Sequence, residues 1–139
     1  MSVRVQSGSS SASGSPIVLV VNDDSDVGEA TAANLRVAGL RVRTALNSDR
    51  AVACCEAQSF NAVVLDHHQA DDYSESLLAN GPDMGPAVIV SAARLSQLAD
   101  IRSRYPDKVF AVLAKPVAPS ELVEVVRAAI TASRNQRKQ

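Results

Sequence analysis

The chain has 139 residues, about one domain's length, with fourteen Lys and Arg against fifteen Asp and Glu. That balance gives no basic footprint for a nucleic-acid backbone, and no apolar run is long enough to span a bilayer. Hydrophobic residues are 46% of the total but aromatic ones only 3%, so Val, Leu, Ile and Ala must build the core. Strands buried on both faces of a parallel sheet use that palette and read as continuous aliphatic runs. The only cysteines, Cys54 and Cys55, are adjacent and offer no disulfide framework. With no signal-like apolar segment at the start, the expected setting is cytoplasmic.

Residues 1–15 are dominated by Ser, Gly and Ala and read as a flexible tail or linker, so the folded unit is expected over 16–133. Strand one is Ile17 to Val21. A helix follows from about Asp26 to Ala38, with Ser25 expected as N-cap and Gly39 as its stop. Strand two is Arg41 to Ala45, and Asn47 or Ser48 caps a helix reaching about Gln58. Strand three is Ala62 to Leu65, and a short helix near Asp72 to Ala79 ends at Gly81-Pro82. Strand four is Ala87 to Val90, with a helix from about Leu95 to Tyr105. Strand five is Phe110 to Ala114. The last helix starts near Pro119 and places Leu122, Val126, Ala129 and Ile130 on one face. Residues 134–139 form a basic polar tail.

Five β–α repeats predict a doubly wound five-stranded parallel sheet with helices on both faces. In the flavodoxin-like order 2-1-3-4-5 the functional crevice opens at the carboxyl ends of strands one and three. Strand one runs into Asn22, Asp23 and Asp24, and strand three ends on Asp66. Strand four ends on Ser91, and strand five on Lys115-Pro116. Carboxylates, a hydroxyl and an ammonium at strand ends suit a metal ion and a phosphoryl group.

These motifs, Val-Val-Asn-Asp-Asp (20–24), Val-Val-Leu-Asp (63–66), Ile-Val-Ser-Ala (89–92) and Leu-Ala-Lys-Pro (113–116), resemble those of two-component response regulator receiver domains. The resemblance covers about Ile17 to Ile130. It implies that Asp66 accepts a phosphoryl group from a histidine kinase or histidine phosphotransfer protein. It further implies that Mg²⁺ is held by Asp23, Asp66 and the backbone carbonyl of His68. Lys115 would then pair with the phosphoryl oxygens, Pro116 would follow a cis bond, and Ser91 would move toward the phosphoryl group. Output would pass to a downstream protein partner, without direct DNA binding and without turnover as an enzyme.

Three features depart from that pattern. Asn22 stands where the family carries an acid; it can hydrogen-bond a metal-bound water but adds no charge, so weaker Mg²⁺ binding is expected. Asp24 is one position further along and is expected to face elsewhere. Val112 occupies the place of the switch aromatic, and Phe110 lies two residues earlier, expected on the same strand face. The loop after Asp66, His-His-Gln-Ala-Asp-Asp-Tyr (67–73), is unusual; its oxygen-rich surroundings favour Mg²⁺ over a transition metal at His67 and His68. The alternative reading is a pseudo-receiver that recognises a protein, or a cyclic dinucleotide through Arg94, Arg102 and Arg104 beside Tyr105, without phosphorylation.

Overall fold

A computed structural model describes residues 15–67, 73–92 and 95–138. Strands β1 (Ile17–Val21), β2 (Arg41–Ala45), β3 (Ala62–His67), β4 (Ala87–Ser91) and β5 (Val109–Ala114) alternate with helices. The helices are α1 (Ser25–Val37), α2 (Ser48–Ala57), α3 (Tyr73–Asn80), α4 (Leu95–Arg104) and α5 (Pro119–Lys138). The sheet order is β2-β1-β3-β4-β5 and every neighbouring pair is parallel, as the repeat pattern predicts. Residues 1–14 of the expected tail lie outside the described residues, and α5 continues through the segment read as a basic tail.

Alternation along each strand divides the core in two. Leu19, Val21, Val63, Leu65, Ala87 and Ile89 pack with residues of α2, α3 and α4 on one face. Val18, Val20, Ala62, Val64 and Val88 pack with α1 and α5 on the other. The α5 contribution is the predicted stripe, Leu122, Val126, Ala129 and Ile130, all buried. Each Val, Leu or Ile side chain so taken from water contributes about 1.5–3 kcal/mol, the main force holding helices to the sheet. Among the described residues no helix is long and apolar enough to cross a membrane.

Two local expectations need correction. The N-cap of α1 is Asp24, and Ser25 is already helical. The Asp24 backbone is extended, and its Oδ1 accepts from the amides of Asp26 at 3.0 Å and Val27 at 3.2 Å. A carboxylate there also meets the positive end of the helix dipole, which favours it over a hydroxyl. At the other end Gly39 takes φ +94°, a conformation that suits a glycine stop. Asn47, not Ser48, caps α2 through an acceptor contact to the Arg50 amide.

The second correction concerns Phe110. Ala87 pairs with Val109 but Val88 pairs with Ala111, so β5 bulges at Phe110. The extra residue shifts the alternation. Val109 and Val112 therefore face α2–α4, whereas Phe110 and Leu113 face α1 and α5. Phe110 and Val112 do not share a strand face, and Phe110 cannot substitute for an aromatic at position 112.

Candidate functional site

The register explains why distant residues meet. Val20 pairs with Val64 and Val21 with Leu65, so the next residues out are Asn22 on β1 and Asp66 on β3. Both continue the rows that face α1 and α5. After the bulge, Leu113 lies on that same face, and two residues on Lys115 leaves β5 in the same row. Three polar side chains 44 and 49 residues apart in the chain thus converge at one sheet edge.

Their contacts are direct. Lys115 Nζ donates to Asp66 Oδ1 at 2.9 Å and to Oδ2 at 3.0 Å. Asn22 Nδ2 donates to Asp66 Oδ2 at 2.7 Å, and Asn22 Oδ1 accepts from the Asp24 amide at 2.9 Å. Asp66 is 5% exposed and Asn22 4%. Burying a carboxylate is costly unless charge and hydrogen bonds compensate it, which the ammonium and the amide do here. The Lys115–Pro116 bond is cis, as the resemblance implies, and the Lys115 amide donates to the Ser91 carbonyl at 2.8 Å. A cavity of about 480 Å³ opens beside these groups toward α1 and α5, with Val20, Val64 and Leu122 among its apolar walls.

The remaining sequence-derived residues divide. Ser91 is fully buried and pairs with His67, one step beyond the Asp66–Val90 pair. It belongs to the Ala87–Ile89 row on the α2–α4 face, so it lies across the sheet from the Asp66 row. Asp23 follows Asn22 in the β1–α1 turn and is exposed. His68 and Arg94 lie outside the described residues. Asp24 serves the α1 cap, which is why it is not available to the pocket. Gly28 carried no sequence signal, yet a Cβ built there would sit 3.4 Å from the Asn22 Cβ.

For a divalent cation the donor set fits in part. Mg²⁺ prefers several hard oxygen ligands, and Asp23 and Asp66 supply carboxylates at adjacent strand ends. Among the described residues there is no group of three His, Cys, Asp or Glu that could hold a metal ion. Asn22 turns its nitrogen, not its oxygen, toward Asp66.

Of the arginines considered for a phosphate, Arg94 lies outside the described residues and Arg104 is engaged by neighbouring acids. Arg104 is engaged by Glu75 and by Asp100 at 3.1 Å, and its guanidinium lies 5.7 Å from the centre of the Tyr105 ring. Arg102 is exposed and borders a larger cavity, about 720 Å³, at the opposite end of the sheet. That cavity contains none of the strand-end residues above.

No family model matches the chain, and no curated protein does. Solved structures do. A CheY-like response regulator receiver domain from Methanospirillum hungatei is similar at TM-score 0.75 and 21% identity, covering 88% of this chain and 98% of that one. A receiver domain protein from Clostridium thermocellum is similar at TM-score 0.73 and 20% identity, covering 87% and 98%. A response regulator from Burkholderia pseudomallei, whose structure holds a phosphorylated aspartic acid, a calcium ion and citrate, is similar at TM-score 0.69 and 21% identity. It covers 88% of this chain and 72% of that one. With the strand order and the parallel register, these likenesses show that the chain has the doubly wound fold of CheY-like response regulator receiver domains.

Proposed function

We propose that the chain is a cytoplasmic phosphoacceptor of two-component signalling, with Asp66 as the accepting residue and a histidine kinase or histidine phosphotransfer protein as donor. The observation that carries this reading is the bidentate contact of Lys115 Nζ with both oxygens of a buried strand-end carboxylate. An Asp66 oxygen attacks the phosphorus of a phosphohistidine. The new O–P bond forms as the N–P bond breaks, and the imidazole leaves with its electron pair and takes up a proton. Lys115 follows the charge: its ammonium neutralises the carboxylate before transfer and the phosphoryl oxygens after it.

Asp23 and Asp66 would hold Mg²⁺, which supplies further neutralisation of the phosphoryl oxygens when bound. Ser91 ends the neighbouring strand and its carbonyl anchors the Lys115 backbone; its side chain starts on the opposite face, so its hydroxyl would have to turn toward the phosphoryl group to report its arrival. Because Val112 replaces an aromatic and Phe110 faces the other side, output leaves through the face formed by α4, β5 and α5 without an aromatic swing. A protein partner reads that surface. Engagement of Arg104 by Glu75 and Asp100 gives no support to nucleotide recognition.

The test is intact-mass spectrometry after incubation with acetyl phosphate and Mg²⁺, beside an Asp66→Ala control. The reading expects a gain of one phosphoryl group in the wild type and none in the control. No gain at any Mg²⁺ concentration refutes it and favours a phosphorylation-independent binding module.

A further inference from the structure

Asn22 occupies the strand end next to Asp66, where the resemblance leads one to expect a carboxylate. Its amide orientation is fixed by two partners of opposite kind. Nδ2 donates to Asp66 Oδ2, while Oδ1 accepts from the Asp24 amide, which can only donate. Turning the amide over would set oxygen against carboxylate and NH₂ against N–H, replacing two attractions with two repulsions. Almost no surface of Asn22 is exposed. The side chain is held as a donor to Asp66.

That arrangement has a consequence for cations. A metal ion gains at Asp66 by neutralising the carboxylate, but Lys115 and Asn22 already compensate it. The oxygen that Asn22 would offer a metal is committed to the Asp24 amide. We propose that Asn22 is a clamp on Asp66 that competes with a divalent cation, so that cation capture requires the Asn22 amide to release Oδ2. The inference rests on the phosphoacceptor reading for the purpose of the cation, and on the hydrogen bonds above for the clamp. The opposite role is that of a helper, with Asn22 orienting a water on the metal and so strengthening its binding. The two roles predict opposite signs for one substitution.

The experiment is calorimetric titration of Mn²⁺, used alone as the probe, into the folded wild type, Asn22→Ala and Asn22→Asp. A clamp predicts that Asn22→Ala binds Mn²⁺ about three- to tenfold more tightly than wild type, because a competing charge-assisted hydrogen bond is gone. Asn22→Asp, which removes the donor and adds a carboxylate, should bind more tightly still. Weaker or unchanged binding by Asn22→Ala overturns the clamp, as does absence of binding in all three proteins. Should Asn22→Ala not fold, Asn22→Ser serves the same test, since its hydroxyl can still accept from the Asp24 amide.

Acetyl phosphate labelling of the same proteins separates the two claims. Labelling at Asp66 with the reverse affinity order sinks the clamp and leaves the phosphoacceptor. The predicted order without labelling leaves the clamp and sinks the phosphoacceptor.

Discussion

Removing Lys115 and removing Asp66 should have unequal effects on stability, and the inequality follows from burial. The Asp66 side chain is 8% exposed and that of Lys115 32%. In Lys115→Met the aliphatic stem is kept, but a buried carboxylate loses the ammonium that touches both its oxygens. Leaving one member of a fully buried pair unpaired costs about 3–5 kcal/mol, and breaking an exposed pair about 0–1 kcal/mol. One-third exposure of the lysine places this pair between those limits, at about 2 kcal/mol. For a domain of this size that lowers the melting temperature by roughly 6–12 °C.

Asp66→Asn is the reverse case. The orphaned ammonium is on a flexible stem one-third open to solvent and can find water, so the cost should stay under about 1 kcal/mol. The assay is urea unfolding followed by circular dichroism, with the melting temperature as a second reading. Equal losses, or a larger loss for Asp66→Asn than for Lys115→Met, would refute the picture of a buried acid compensated by a base one-third open to solvent.

Other expectations are local. Asp24→Ala removes the acceptor for two orphan amides of α1 and should cost about 1 kcal/mol by the same unfolding assay, whereas Ser25→Ala should change stability little. Gly85 has φ +79°, and a Cβ there would lie 2.9 Å from the Asn61 carbonyl carbon; Gly85→Ala should therefore cost at least about 1–3 kcal/mol. Burial, then Cys54 and Asp83, push the Cys55 thiol above its ordinary range. Iodoacetamide should thus modify Cys55 more slowly in the native protein than in urea at the same pH. Because the folded state holds that proton more tightly, its stabilising contribution is complete below the unfolded thiol's range and fades as the pH rises through the folded value. Stability of the wild type relative to Cys55→Ala should accordingly fall under alkaline conditions.

The sheet was legible because four of its five strands are aliphatic runs closed by a polar residue, as a two-sided parallel sheet demands, while β2, Arg-Val-Arg-Thr-Ala, was placed by the β–α alternation. The same rule brought Asp66 and Lys115 forward as site residues, since a polar group ending a buried strand must lie at the sheet edge. The bulge at Phe110 was not legible: it is a change of backbone register, and Val-Phe-Ala-Val-Leu-Ala reads as plain alternation without it. The cap was expected at Ser25 and lies at Asp24: both side chains are capable acceptors, and only the turn geometry separates them. The sequence marked Asn22 as a missing charge. Its role as a donor depends on two partners, Asp66 and the Asp24 amide, that only the fold brings to it.

Chemical mapping of the modified residue bears most directly on the central claim. After treatment with acetyl phosphate and Mg²⁺, borohydride reduction converts an aspartyl phosphate to homoserine, which peptide sequencing locates. Conversion at position 66, lost when Lys115 is replaced by Met in a still-folded protein, is the predicted result. Conversion at another acid, or none in a protein that binds Mn²⁺, would contradict the assignment of Asp66 as phosphoacceptor.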